Sequence, residues 1–99
     1  MIVFFDLPTL TKSDRRNATR FRNNLLNDGY YMMQWSVYSR ICKGIADVEK
    51  HSQRLKYIIP PAGNVRLMSV TEKQFAEMEI LIGTPPKPER IGPTQLLLF

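Results

Sequence analysis

Ile2-Val3-Phe4-Phe5 is apolar at successive positions, runs into a carboxylate at Asp6 and is stopped by Pro8. A strand points its side chains alternately to the two faces of a sheet, so a strand with one wet face alternates apolar and polar residues. This one does not alternate, and neither does Tyr30 to Met33. Both must be covered on two sides, so the fold needs a helical layer on one face of a sheet and a second cover on the other.

The remaining elements follow from period and punctuation. Thr11, Ser13 and Asp14 are good caps, and a helix opening at Ser13 or Asp14 brings Ala18, Phe21 and Leu25 to one face before Gly29 ends it. Tyr30 to Ile41 reads as strand, with Gln34 to Ser36 passing from one strand to the next. No Asn-Gly or Asp-Gly turn stands there, so one long bent strand is the alternative. Ile45 to Ile59 is a second helix, striped by Ile45, Val48, Leu55 and Ile58 or Ile59 and ended by Pro60-Pro61. Asn64 to Val70 is a strand, Thr71 to Gln74 can cap a short helical turn, and Glu79 to Gly83 reads as the last core strand. The order β-α-β-β-α-β is the split pattern of ferredoxin-like α+β domains, with a four-stranded antiparallel sheet.

Residues 1–83 form that core on this reading. Residues 84–99 are a tether with Pro85, Pro86, Pro88 and Pro93, leading to a terminal strand that docks at a sheet edge through Leu96, Leu97, Leu98 and Phe99. The core has no third layer of its own, so the expected cover for the open sheet face is a second copy, in a homodimer.

At 99 residues the chain is one domain, and 43% apolar with 23% charged residues is ordinary for a soluble one. A net charge of +5 points to an anionic partner. Cys42 is the only cysteine, which excludes an internal disulfide and reads as a small half-buried hydrophobe in a reduced setting. No leader precedes an apolar stretch, and no apolar run nears the roughly 18 residues of a membrane span. The expectation is a cytoplasmic protein with no membrane partner.

Asp6 is the acid that stands in an apolar strand. One carboxylate is a poor metal site, because magnesium takes one or two carboxylates and fills its octahedron with water and phosphate oxygens. In a two-fold dimer a second Asp6 would approach the first, and the pair could share an ion. The competing reading has Asp6 cap the N-terminus of the following helix. On that helix Arg15 and Arg22 share a row with Thr19 and Leu26, and Arg16 and Arg20 share another with Asn23 and Asn27. Only Asp14 and Asp28, one at each end, offset them. The planar arginine fork suits phosphate, so this is the candidate nucleic-acid face, against the reading of a solvated helix surface.

Other groups carry less. His51 has no histidine or cysteine partner for zinc and is expected on a solvated helix surface. Ser36 and Ser39 lack a general base. Tyr30, Tyr31, Trp35 and Tyr38 could stack on bases, but without the Gly-aromatic signature of RNA-binding domains they read better as sheet core or dimer contact.

With Asp6-Leu7-Pro8 closing the first strand, Arg15 to Arg22 on the next helix and Gln34-Trp35-Ser36-Val37-Tyr38-Ser39 in the middle strands, the chain resembles the Cas-two family, the small CRISPR-associated proteins of spacer acquisition. Val70-Thr71-Glu72-Lys73-Gln74-Phe75 resembles members from type II systems. The resemblance implies a ferredoxin-like homodimer that partners the Cas-one integrase and holds duplex DNA during integration. It also implies a metal-dependent nuclease on DNA or RNA, with Asp6 as the catalytic residue and ligand of Mg2+ (or Mn2+). Arg15, Arg16, Arg20 and Arg22 match the family's basic first helix in character. Adaptor and endonuclease stand as the two main readings, and an RNA-cleaving toxin of the same fold is the alternative.

Overall fold

The computed structural model describes residues 1–83. Its elements are β1 (Ile2–Asp6), α1 (Lys12–Asn27), β2 (Tyr31–Gln34), β3 (Val37–Ser39), α2 (Ile45–Ile58), β4 (Asn64–Met68) and α3 (Glu72–Ala76). The strands form one sheet in the order β2-β3-β1-β4, antiparallel at every pairing. That is the ferredoxin-like α+β arrangement the element order implies. β1 lies inside the sheet, which is why it is the most continuously apolar strand.

Local chemistry sets the helix ends. The N–H of Asp14 donates to the Thr11 hydroxyl (3.0 Å), and the Asp14 carboxylate accepts from the N–H of Thr11 (3.3 Å), a reciprocal capping box. At the other end Asp28 is the C-cap and Gly29 follows with φ +91°. The Gly29 N–H donates to the Leu26 carbonyl and the Tyr30 N–H to the Leu25 carbonyl, a closure that needs the left-handed residue. Tyr30 and Leu25 then meet in the core. The same box recurs at α3 between Thr71 and Gln74.

Val3, Phe5, Phe21, Leu25, Tyr30, Tyr38 and Leu55 make the core. Phe5 stands edge-on to Phe21 at 5.1 Å between ring centres and lies 5.5 Å from Tyr38. On α1 the buried residues are Ala18, Phe21 and Leu25, as the period requires. On α2 the stripe differs from expectation. Ile45 and Ile59 are exposed, and His51 takes the core-facing place between Val48 and Leu55. A histidine can do so because one of its ring nitrogens has a close partner. Its Nδ1 lies 2.7 Å from the Asp28 carboxylate, whose other oxygen accepts from Arg54 at 2.8 Å. His51 is therefore a buried link between the helices, not a surface residue.

One further expectation needs correcting, and one is borne out. Residues 79–83 form no strand, and Leu81 and Ile82 are almost fully exposed; β4 at Asn64–Met68 completes the sheet instead. The passage at Gln34 to Ser36 is a true turn, with Gln34 paired to Val37 and one irregularity between Met32 and Gln34. The expected terminal strand, with Leu96, Leu97, Leu98 and Phe99, lies outside the described residues. Among those described, no helix is long and apolar enough to cross a membrane. Cys42 is half-buried and unpaired.

Candidate nucleic-acid interface and metal site

Asp6 ends β1 opposite Asn64 of β4, and its side chain is exposed. Two neighbours fix its backbone. The N–H of Phe5 donates to the Ser36 carbonyl at 3.1 Å, tying the strand end to the β2–β3 turn. On the other side Gly63 carries φ +103°, and a Cβ there would come within 2.7 Å of the Asp6 carbonyl oxygen. Only glycine allows that approach. Nothing in a single sequence marked this glycine as part of the site, since its partner lies far along the chain.

The two readings of Asp6 now separate. Thr11 and Asp14 already serve the first turn of α1, and among the described residues no hydrogen bond joins the Asp6 carboxylate to that helix. Asp6 is not a cap. Among the described residues its carboxylate has no hydrogen-bond or ion-pair partner at the sheet end. Among the described residues no group of three His, Cys, Asp or Glu side chains could hold a metal ion. One chain thus offers a single carboxylate, which fits magnesium only if a second copy or substrate phosphates complete the shell.

The arginines divide by what they touch. Arg15 Nη1 donates to the carbonyls of Thr9 and Leu10, 3.1 Å each, and braces the loop that follows Asp6. Arg22 is half-buried and lies with its guanidinium carbon 5.5 Å from the Trp35 ring centre, a cation–π contact. Arg16 and Arg20 are exposed, with no hydrogen bond or ion pair among the described residues. Asp6 ends the strand before the loop and Arg15 stands in the first turn of the helix after it, and among the described residues no arginine forms a hydrogen bond or ion pair with the Asp6 carboxylate.

The opposite face of the sheet carries the other surface of interest. By register, Tyr31, Ser39, Ile2 and Met68 form one row across the strands, and Val37, Phe4 and Arg66 form the next. Ile2 is buried, but Phe4, Tyr31 and Met68 keep 37%, 41% and 48% of their surface exposed. Tyr30 and Tyr38 are core residues, as expected, whereas Trp35 is 74% exposed and belongs to neither core nor sheet face.

The fold and this site define a small ferredoxin-like protein with a free carboxylate closing its first strand and a basic first helix. The family model described as CRISPR associated protein Cas2 matches residues 1–78. A CRISPR-associated endoribonuclease Cas2 of Acidovorax ebreus is 52% identical over 100 aligned residues, covering 100% of this chain and 98% of the relative. One of Campylobacter jejuni is 45% identical, covering 100% of this chain and 70% of the relative. One of Parvibaculum lavamentivorans is 42% identical, covering 100% and 98%. The chain belongs to the Cas2 family of CRISPR-associated proteins.

Proposed function

We propose that this chain acts in CRISPR adaptation as a homodimer that binds duplex DNA and bridges Cas-one integrase subunits, and that it carries a magnesium-dependent endonuclease centred on Asp6. The observation that carries the nuclease reading is the free Asp6 carboxylate. A helix start that needs no help from it leaves an exposed acid at a rigidly held strand end. The relatives are named endoribonucleases, which makes RNA a substrate to test beside DNA.

In this reading the open sheet face, with Phe4, Tyr31 and Met68, meets its copy and brings two Asp6 carboxylates together. Asp6 of each copy would hold the ion. Mg2+ or Mn2+ held there would supply Lewis acidity toward a phosphoryl oxygen and would acidify water. Arg16 and Arg20 take phosphates flanking the scissile one. Arg15 keeps the loop after Asp6 in place rather than spending its fork on substrate.

The experiment compares wild type with Asp6→Ala on duplex DNA and single-stranded RNA, with and without magnesium, both proteins first shown to be folded. Cleavage that needs magnesium and falls at least about 100-fold in Asp6→Ala is the expected result. Equal cleavage by the two proteins would remove Asp6 from the chemistry. Binding of duplex DNA with no cleavage by either would leave the adaptor alone.

A further inference from the structure

Trp35 is an exposed indole in a turn whose backbone is tied to β1. It sits in the β2–β3 turn, and the next residue, Ser36, holds φ +63°, a left-handed conformation that costs a non-glycine residue about 1 kcal/mol or more. The Ser36 carbonyl is locked by the N–H of Phe5. A turn pinned in this way is an ordered mount for the ring that precedes it. Arg22 then steers the ring from α1, its guanidinium carbon 5.5 Å from the ring centre. Elsewhere on that helix Arg16, Arg20 and Asn23 are exposed.

We infer that Trp35, steered by Arg22, is a stacking platform for an unpaired nucleobase, in single-stranded RNA or DNA, at the edge of the site that ends in Asp6. The chemistry follows from the pairing. An indole face offers every base the same π surface, and aromatic stacking beside a cationic track is how strands are held without sequence preference. A buried protein contact would equally use the indole. The surroundings favour nucleic acid, because the ring contacts Arg22 of a helix whose charges between Asp14 and Asp28 are all positive. The link to Asp6 is short: Phe5, whose N–H holds the Ser36 carbonyl, directly precedes it. A base stacked on Trp35 would fix the register of the strand whose phosphates pass Asp6. This inference rests on the nucleic-acid reading of the basic helix.

The chain contains one tryptophan, so its indole emission reports on Trp35 alone. The test titrates the full chain with oligouridylate RNA, oligothymidylate DNA and an abasic DNA oligomer, each of about twelve nucleotides, and with a duplex as reference. Emission and fluorescence anisotropy of labelled oligomers are both recorded. Base-bearing single strands should quench the emission and bind about 10- to 100-fold more tightly than the abasic strand. In Trp35→Ala that advantage should collapse, and Trp35→Phe should restore part of it. The RNA and DNA arms tell which sugar the platform prefers.

Binding of the base-bearing strands without quenching would overturn the platform, as would an equal loss for base-bearing and abasic strands in Trp35→Ala. A shift in sedimentation of Trp35→Ala with no loss of the base advantage would assign the indole to a protein interface instead. If the duplex still binds in any of these cases, the platform fails while the basic-helix reading survives. Failure of every oligomer and the duplex to bind would remove both.

Discussion

Asp28 occupies an unfavourable place by electrostatics, an acid at the C-terminal end of α1 where the helix dipole already gathers negative charge. Its partners explain why it is kept. Burial opposes its ionisation, but hydrogen bonds from His51 and Arg54 outweigh it and hold its carboxyl below the ordinary carboxylate range. Because the folded value is lowered, its contribution is present above the ordinary pKa of 3.8 and is lost as pH falls through the folded one. Since a carboxylate only accepts, His51 Nδ1 is the donor. Its Nε2 faces Asp47 at 3.4 Å, too long for a good hydrogen bond. The neighbouring Tyr30 is less well served. Its hydroxyl is buried without a partner among the described residues, and burial, then the charge of Asp28, push the phenol up to about 12. With the folded value raised, stability is full below pH 10.0 and declines as pH rises towards 12, by about 2 to 3 kcal/mol from this group. Tyr30→Phe should therefore be neutral or up to about 1 kcal/mol stabilising near pH 7, and should lose this alkaline decline. Urea unfolding from pH 7 to 12 decides it; a Phe variant with the same alkaline slope would show the phenol is not the cause.

On the scale of elements, α1 has one face for the core and another that is exposed and basic. Ala18, Phe21 and Leu25 are committed to packing, and the capping box and the Gly29 closure stabilise both ends without using Arg16 or Arg20. Those two arginines are then available for phosphate, whereas Arg15 is occupied by Thr9 and Leu10. Arg16→Ala with Arg20→Ala should lower the slope of log affinity for duplex DNA against log salt by about 2, roughly 0.9 per lost phosphate contact. Anisotropy titrations across a salt series measure it, and an unchanged slope would take the phosphates off this face. α1 was legible in the sequence because its stripe, caps and stop are all local. α2 was legible in extent but not in content. His51 stands three residues after Val48 and four before Leu55, so the period alone assigns it to the core, but only Asp28, from another element, makes that burial tolerable. The run Ile80-Leu81-Ile82 misled for the converse reason. Apolar β-branched residues give a strand its propensity, yet a strand exists only where an edge pairs with it, and no local pattern supplies that edge. The free Asp6 was legible as a strand-end acid. Gly63 and the Arg22–Trp35 contact were not, because each depends on a close approach between distant segments.

For the whole molecule, the sheet has helices on one face and a mixed surface on the other, and the second surface bears on assembly. Val3 and Phe5 meet the helices, while Phe4 points the other way beside Val37 and Arg66, with Tyr31 and Met68 in the adjoining row. Partly exposed aromatic and sulfur side chains around a buried Ile2 have the make-up of an interface centre. A charge placed there should oppose pairing of two copies while leaving the helix-side core intact. Phe4→Glu is accordingly expected to weaken self-association at least tenfold, about 1.4 kcal/mol, in sedimentation equilibrium, with its circular dichroism retained. If catalysis needs two Asp6 carboxylates, the same variant should also lose magnesium-dependent cleavage although its own Asp6 is untouched. Mixing supplies the sharper arm. Wild type mixed with excess Asp6→Ala and allowed to exchange should lose activity beyond simple dilution, because mixed dimers hold one carboxylate instead of two. Activity that merely scales with the wild-type fraction would mean each Asp6 works alone. A Phe4→Glu protein that sediments as a dimer would move the interface off the sheet face and towards its edges.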